Sequence, residues 1–367
     1  MAMSDQPMAS PPPASKPSAA RPAPSAFLGF GTALPEHRLD AETGIAALRQ
    51  LWPRLRGARP EPVTRYLIRP LEWLLTPRSL EETMRTYAEQ AARLAEVASG
   101  RALDAAGVEP EEIDLVVTVS CTGYLLPSLD VRLAADLGLR PDVIRLPLTE
   151  LGCSGGAAGV AVAHRHLAAY PRDRVLVIAV ELPSLTFQRQ DRSLDNLTAA
   201  MVFGDGAAAA VMGGAGRQGG GELQVLGAGS WLLPRSAWAL GFDLRDGGFH
   251  VVLDRRLPDL VRTGLGPAVT AFRRRRGLER VDFYAVHAGG PRILDAVAEA
   301  LQLEPAQLAL SRRVFREVGN LSSASILFVL AQASDVAGDG LAIALGPGVT
   351  IELLHLRADR GTPGPAG

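Results

Sequence analysis

Cys153 is the residue best suited to covalent chemistry. It lies in the segment 150–156, Glu-Leu-Gly-Cys-Ser-Gly-Gly, between a strand-like run, 143–148, and a small-residue run with helical character, 157–168. A cysteine at a strand-to-helix turn lies near the free N–H groups of the helix, whose partial positive charge favours an anion. We therefore expect a depressed pKa and a partly ionised thiol near neutral pH. An inert buried cysteine is the alternative.

An imidazole and a carboxamide could complete a site around this sulfur. His287 follows the apolar run 281–286, and Asn320 opens a second segment of small residues. A histidine close to a cysteine forms a thiolate–imidazolium pair, an activated nucleophile. Both side chains could instead donate to one thioester oxygen and stabilise an enolate, as decarboxylation of a malonyl thioester requires. Taken singly, His287 could be a satisfied core histidine and Asn320 a helix N-cap.

The elements around these residues repeat along the chain. Asp114 and Asp282 each begin an apolar strand pattern that breaks at glycine and leads into a helical pattern, 129–137 and 293–301. A second glycine break follows each aspartate after roughly 38 residues, and these breaks hold Cys153 and Asn320. Alternating strands and helices predict mostly parallel, buried sheets. We expect an α/β protein of two duplicated halves in αβαβα layers, with equivalent loops facing one another.

Composition excludes several classes of protein. The formal net charge of −1 gives no electrostatic case for nucleic acid, and no apolar run is long enough for a transmembrane segment. The two cysteines, Cys121 and Cys153, provide neither a disulfide framework nor a CxxC metal site, which fits a reducing cytoplasmic setting. Lys16 is the only lysine, which leaves no core lysine for pyridoxal phosphate or a P-loop.

Pattern and composition divide the chain into four parts. Residues 1–25 are rich in Pro, Ala and Ser and are expected to be a disordered tail. The first half, 26–215, carries the cysteine; the second, 216–357, carries the histidine and asparagine; 358–367 is a flexible tail. Within 40–62, arginines surround a tryptophan, which predicts a solvated helix face or a basic rim for an anionic cofactor tail.

Five segments together resemble the type III polyketide synthases, the chalcone synthase-like enzymes. Three hold the residues discussed above: 152–156 (Gly-Cys-Ser-Gly-Gly), 285–295 (Ala-Val-His-Ala-Gly-Gly-Pro-Arg-Ile-Leu-Asp) and 319–325 (Gly-Asn-Leu-Ser-Ser-Ala-Ser). The others are 203–208 (Phe-Gly-Asp-Gly-Ala-Ala) and 345–352 (Leu-Gly-Pro-Gly-Val-Thr-Ile-Glu). The resemblance covers about residues 26–357. It implies a thiolase-like fold, a homodimer, and acyl-CoA and malonyl-CoA as substrates, with no metal, other cofactor or carrier protein.

The resemblance also implies roles for individual residues. Cys153 would hold the starter and the growing chain, while His287 and Asn320 bind the malonyl-CoA thioester oxygen during decarboxylation. Phe203 matches a phenylalanine between the CoA tunnel and the active site, and Phe249 matches its partner at the cavity mouth; each could instead be a core aromatic. The implied CoA contacts are Gly289 and Gly290 in the pantetheine tunnel and Arg54, Arg56 and Arg59 at the phosphates.

Several positions match the family's substrate pocket. Cys121 stands where plant chalcone synthases have threonine, and it is either a small pocket-lining residue or a second acyl carrier. The loop 344–348 reads Ala-Leu-Gly-Pro-Gly, whereas the family usually has Gly-Phe-Gly-Pro-Gly, so this wall is expected to differ. The matching positions are Cys121, Thr122, Leu126, Glu181, Thr186, Gly241, Ser322, Gly346 and Pro347.

The segments 120–130, 185–197 and 241–249 look most like bacterial alkylresorcinol and alkylpyrone synthases, which take fatty acyl-CoA starters. We therefore expect a long apolar tunnel beyond Thr186 and Cys121. A malonyl-primed synthase making 1,3,6,8-tetrahydroxynaphthalene is the alternative within the family. Outside it, a β-ketoacyl synthase III of fatty-acid synthesis, a catalytically inactive thiolase-fold binding protein and, more weakly, a papain-like hydrolase are the alternatives.

Overall fold

The computed structural model describes residues 23–52, 63–214, 223–333 and 336–359. Its strands are β1 (Ser25–Ala33), β2 (His37–Leu39), β3 (Arg65–Leu67), β4 (Leu115–Val119), β5 (Ile144–Leu148), β6 (Arg174–Glu181), β7 (Gly206–Gly214), β8 (Leu223–Leu232), β9 (Leu240–Arg245), β10 (Gly248–Leu253), β11 (Phe283–Val286), β12 (Gly338–Gly346) and β13 (Thr350–Ala358). Its helices are α1 (Ala41–Leu51), α2 (Leu71–Leu74), α3 (Leu80–Ala106), α4 (Leu129–Asp136), α5 (Gly155–Ala169), α6 (Leu194–Val202), α7 (Leu257–Arg276), α8 (Pro291–Leu301), α9 (Ala309–Val318) and α10 (Ser325–Ala331).

Nine strands form one mixed sheet in the order β11-β12-β13-β8-β1-β7-β6-β4-β5. Reading outward from the β1–β8 junction, the sequences β1-β7-β6-β4 and β8-β13-β12-β11 have the same pairing: two antiparallel contacts, then a parallel one. The junction itself consists of two residue pairs, Ser25 with Val225 and Ala26 with Gln224. This equivalence is what the predicted duplication requires, since the same connection pattern is built twice.

Helices cover and separate the two halves of the sheet. α5 packs on α10 between the halves and contacts strands of both, while α3 lies against β1, β7 and β6 on one outer face. α7 and α8 pack together on the other outer face. The result is the expected αβαβα layering, in which both faces of every central strand are buried.

The alternation of side chains along the central strands explains the layers. In β7, Ala208, Ala210 and Met212 face the central helices, whereas Ala207, Ala209 and Val211 face α3. In β12, Ala342 and Ala344 face the centre, whereas Leu341, Ile343 and Leu345 face α7 and α8. Successive residues of a strand point to opposite faces, so these continuous apolar runs serve two cores at once.

Some predicted boundaries differ from the structure. Ser25, assigned to the tail, is already in β1 and fully buried, and Ala358 still belongs to β13. The expected boundary between the halves at 215/216, and most of both predicted tails, lie outside the described residues. Within the part of the chain that the structure describes, no helix is both long and apolar enough to cross a bilayer, and no cluster of metal-ligating side chains occurs.

Candidate active site

The turn that carries Cys153 is shaped by its glycines. Residues Gly152–Ser154 form a single 3-10 turn that runs directly into α5. Gly152 has φ +53°, and a Cβ there would lie 2.5 Å from the Pro347 ring. Glycine therefore lets the loop of Gly346 and Pro347 pack onto the nucleophile turn.

A second turn, around Asn320, meets the first. The Asn320 main chain is bonded on both sides: its N–H donates to Val202 O at 2.8 Å, and its carbonyl accepts from Gly204 N–H at 3.0 Å. A Cβ on Gly156, in the first turn of α5, would lie 2.1 Å from the Ser323 carbonyl oxygen. Only glycine at position 156 allows this approach of the two halves.

The Asn320 carboxamide is held in a defined orientation. Its oxygen accepts from the Ser322 N–H at 2.8 Å, and its nitrogen donates to the Gly289 carbonyl at 3.3 Å. A carboxamide nitrogen has two hydrogens, so one remains available for a ligand.

His287 lies at the end of β11, on the far side of Gly289. Its main-chain N–H donates to Ile343 O at 2.8 Å, and its ring lies against Gly289, where a Cβ would be 3.3 Å from Nε2. The side chain is buried, and Nδ1 has no hydrogen-bond partner among the described residues. Consecutive contacts therefore link Cys153, Ser322, Asn320, Gly289 and His287.

The electrostatics differ from the expected thiolate–imidazolium pair. Burial raises the pKa of the Cys153 thiol to about 12, and the nearby Glu181 carboxyl adds to this rise. Burial lowers the pKa of His287 to about 4. The expectation of a depressed Cys153 pKa is therefore wrong for the unliganded site, because desolvation outweighs the effect of the helix N-terminus. At rest the Cys153 thiol and the His287 imidazole are both neutral.

The Ser322 hydroxyl lies between two thiols. Cys153 Sγ and Cys121 Sγ are each 3.4 Å from Ser322 Oγ. Cys121 also contacts Glu181, whose buried carboxyl accepts from Thr122 Oγ1 at 2.7 Å and from the Cys121 N–H. Burial and Glu181 raise the pKa of Cys121 well above its usual value, so this thiol is neutral at rest.

A cavity of about 700 Å³ opens beside Cys153. Most of the residues predicted for the pocket line it: Cys121, Thr122, Cys153, Thr186, Phe203, Gly241, Phe249, Ser322 and Pro347. Glu181 lies behind Cys121, and Asn320 lies one contact behind Ser322 in the cavity wall. His287 lies further back, next to Gly289, and does not line this cavity.

Other predicted residues lie elsewhere. Leu126, assigned to the pocket, is 86% exposed and does not line this cavity. Gly346 packs behind the wall against Ser154, and Gly289 and Gly290 flank His287 outside the cavity lining. The three arginines proposed for the CoA phosphates, Arg54, Arg56 and Arg59, lie outside the described residues.

Two matches to family models decide the family. Residues 75–216 match the N-terminal domain of chalcone and stilbene synthases, and residues 224–359 match the C-terminal domain. The chain belongs to this family. It is accordingly a type III polyketide synthase, an acyltransferase that condenses malonyl-CoA, with CoA thioesters as substrates.

Individual relatives differ in their products. The chain is 41% identical over 348 residues to a 1,3,6,8-tetrahydroxynaphthalene synthase of Streptomyces peucetius subsp. caesius, covering 89% of this chain and 91% of the relative. It is 30% identical over 287 residues to the alpha-pyrone synthesis polyketide synthase-like protein Pks18 of Mycobacterium tuberculosis, covering 75% and 73%. The crystal structure of tetrahydroxynaphthalene synthase from Streptomyces coelicolor superposes with a TM-score of 0.85 at 32% identity, covering 92% of this chain and all of that one.

In this type III polyketide synthase the residues that line one part of the cavity, the leucine-lined arm, were not predicted from the sequence. Leucines and an alanine from α1, β2 and the α2 region line it: Leu39, Ala47, Leu48, Leu71, Leu74 and Leu75. The interpretation of 40–62 as a solvated face describes only one side of α1, where Arg49 is exposed; the other side buries Ile45, Ala47 and Leu48. The spacing of apolar residues within 41–51 indicates a buried helix face, but the arginines around Trp52 favoured a solvated one.

The buried carboxyl of Asp205 was also not assigned a role from the sequence. Asp205, fully buried, accepts from the Ile68 N–H at 2.7 Å, the Ser184 N–H at 2.8 Å and the Ser184 hydroxyl. Burial raises its pKa to about 6, while these donors and the Arg65 charge oppose that rise. Asp205 thus ties β3 to the 183–187 loop, which forms part of the cavity wall.

Proposed function

We propose that this synthase condenses malonyl-CoA iteratively onto a fatty acyl starter held on Cys153 and closes the product to an alkylpyrone or alkylresorcinol. The observation that carries this proposal is the apolar arm of the cavity, to which β2, α1 and the α2 region contribute leucines. An alkyl chain gains about 0.8 kcal/mol for each methylene that it buries in such a surface. A cavity of about 700 Å³ is within the usual range for small-molecule sites.

Starter loading begins from a neutral thiol. Cys153 Sγ forms a bond to the acyl carbon, the bond from that carbon to CoA sulfur breaks, and the thiol proton passes to the departing CoA thiolate. Burial lowers the pKa of His287 to about 4, so its ring is too weak a base to hold that proton and stays neutral during loading. The Ser322 hydroxyl at 3.4 Å stabilises the sulfur as charge develops.

Extension uses the same site with a different ligand. The neutral His287 ring and the second Asn320 amide hydrogen donate to the malonyl thioester oxygen, and loss of CO₂ leaves an enolate held by these donors. The enolate carbon attacks the Cys153 thioester and expels the cysteine thiolate. Return of the lengthened chain to Cys153 permits another round, and no metal or other cofactor takes part.

A malonyl-primed tetrahydroxynaphthalene synthase is the second candidate. The Streptomyces peucetius relative favours it, and so does Arg65, a buried cation on the cavity wall whose Nε has no hydrogen-bond partner among the described residues. A malonyl primer brings a carboxylate, which a cation would attract. A fatty acyl tail would instead occupy the leucine-lined arm.

One competition experiment distinguishes the candidates. The protein is incubated with labelled malonyl-CoA, with and without a series of saturated fatty acyl-CoAs, and the products are read by mass spectrometry. Alkylpyrones or alkylresorcinols that incorporate the acyl chain support the proposal. Tetrahydroxynaphthalene formed at the same rate with or without acyl-CoA supports the second candidate. A single β-ketoacyl thioester, formed only with a carrier protein, would instead indicate a β-ketoacyl synthase III.

We also propose a homodimer through the β5 end of the sheet. Among the described residues no strand pairs with the outer edge of β5, which exposes Ile144 at 54%. Leu126, 86% exposed, shortly precedes α4, which contacts β5. Such a patch favours association with a second copy. Leu126→Asp is expected to shift the protein to a monomer in light scattering. Leu194→Asp, at a leucine 73% exposed in α6, is the matched control and should leave the dimer intact.

A further inference from the structure

The cavity beside Cys153 is called the main cavity. Its leucine-lined arm ends at a wall one side chain thick. A second cavity, of about 350 Å³, lies on the other side of that wall. The two cavities share Leu74, Ser184, Phe187 and Phe249 as lining residues. These four residues therefore separate the two spaces.

Three consecutive residues show how the wall is placed. Trp73 lines only the second cavity, Leu75 lines only the main cavity, and Leu74 between them lines both. The end of α2 thus crosses the boundary at Leu74, and substitutions at neighbouring positions can be compared on the two sides.

The two spaces differ in chemical character. The main cavity is lined by leucine and alanine along this arm, whereas the second cavity combines apolar side chains with polar and charged ones, including Arg78, Gln188 and His250. The Arg78 guanidinium stacks on Trp73 at 3.5 Å. An alkyl chain that passed the wall would enter this mixed surface and gain less from burial for each methylene than it does within the arm.

The wall is held closed by contacts behind it. Gln188 Nε2 donates to the Phe249 carbonyl at 3.0 Å, which joins the 183–189 loop to the β9–β10 hairpin. The Leu253 N–H donates to Asp195 at 2.9 Å and fixes the far end of that hairpin. On the other side, the Phe187 ring packs edge-on against Trp52 at 5.9 Å. Leu74 and Phe187 are therefore supported rather than free to swing aside.

We propose that Leu74 and Phe187 set the upper limit of starter length by closing the leucine-lined arm against the second cavity. This inference rests on the proposed use of acyl starters and deepens it. Within the arm, each added methylene should raise the rate of loading onto Cys153 by about fourfold, the factor that corresponds to 0.8 kcal/mol. At the wall this increase should stop.

The test measures acyl-enzyme formation on Cys153 by intact-protein mass spectrometry, with saturated acyl-CoAs of increasing length. Leu74→Ala and Phe187→Ala are expected to move the longest efficiently loaded chain to a greater length, and Leu74→Trp to a shorter one. Leu75→Ala enlarges the arm without opening the wall and should leave the limit unchanged. The opposite shifts in Leu74→Ala and Leu74→Trp separate a length limit from a loss of folding.

The outcomes for the two proposals are distinct. If the native protein loads no fatty acyl chain of any length, the proposed starter class and this inference are both wrong. If it loads them with a length limit that stays the same in the Leu74 and Phe187 variants, or shifts equally in Leu75→Ala, the wall does not set the limit, while the acyl-primed function stands.

Discussion

The Ser322 hydroxyl lies 3.4 Å from the Cys153 sulfur, within hydrogen-bond distance. Ser322 has φ +48°, an uncommon conformation for a residue other than glycine. Strain of this kind persists where surrounding contacts hold it, and here the Asn320 carboxamide accepts the Ser322 N–H.

Removing this hydroxyl should slow acyl loading on Cys153 by about tenfold or more, because a hydrogen bond to a charged group contributes about 1.5–3 kcal/mol. Ser322→Ala keeps the strained backbone, whereas Ser322→Gly relaxes it. Equal losses of loading rate in both variants are expected. Full loading by the glycine variant would show that the backbone, and not the hydroxyl, matters.

Alkylation of Cys153 by iodoacetamide should be slow at pH 7 and should increase about tenfold for each pH unit through the alkaline range, since the thiolate reacts and the thiol pKa is raised to about 12. The measurement is the rate of carbamidomethyl addition at Cys153, with Cys121→Ala to remove the second thiol. A labelling rate that is already at its plateau near pH 7 would show an ionised cysteine in the resting protein.

Substitutions at Asn320 and Cys153 should separate loading from decarboxylation. Asn320→Ala is expected to lower CO₂ release from malonyl-CoA by about 10²–10³, the usual effect of removing one donor to a developing oxyanion. Cys153→Ala should abolish the acyl-enzyme but retain CO₂ release. Labelled CO₂ and acyl-enzyme mass are the two measurements. Loss of both activities in every variant would contradict the division of roles.

The protonation state of His287, and with it the rate of CO₂ release, should not change between pH 7 and pH 5. Its pKa lies at about 4 because burial opposes the charged form, so the ring stays neutral from pH 7 down to that range. CO₂ release from malonyl-CoA by the Cys153→Ala protein should therefore be level between pH 7 and pH 5. A midpoint near pH 6.5 that disappears in His287→Gln would mean that the imidazole is solvated in the working enzyme.

The contact between the two halves at Gly156 predicts a stability effect. A Cβ there would lie 2.1 Å from a main-chain oxygen, so Gly156→Ala should lower the free energy of unfolding by about 1–3 kcal/mol and impair condensation. Gly100, in α3, has no atom within 4 Å of its Cβ position, and Gly100→Ala should raise the free energy of unfolding by about 0.5–1 kcal/mol. Urea denaturation of both variants measures the difference.

Sequence patterns predicted the layered fold because apolar periodicity and the spacing of glycine breaks are local signals that recur in both halves. The helical spacing of Leu, Met, Ala and Val over 80–106, with Gly107 as a stop signal, predicts a helix there. The α3 helix has those bounds, with a capping box at Ser79 and Glu82 and a left-handed Gly107 at its end. Elements with short-range caps of this kind are specified by the residues that they contain.

Features that depend on burial were predicted less well. The Cys153 pKa was expected to fall because the helix N-terminus is visible in sequence, whereas desolvation and the nearby Glu181 are set by tertiary packing. The leucine-lined arm combines α1, β2 and the α2 region, whose meeting no local pattern encodes. Leu126 was assigned to the pocket from its position in the segment 120–130, but its side chain is exposed, whereas Leu129 and Asp130 of the same segment are buried.

Phe203 and Asn320 are joined through their main chains, with Asn320 bonded to Val202 on one side and Gly204 on the other. The ring that shapes the cavity and the amide assigned to decarboxylation therefore share a backbone frame that depends on neither side chain. Substitutions at position 203 can remodel the space offered to a product while the reaction centre keeps its alignment. An architecture of this kind lets new product ranges arise by single changes, without rebuilding the chemistry each time.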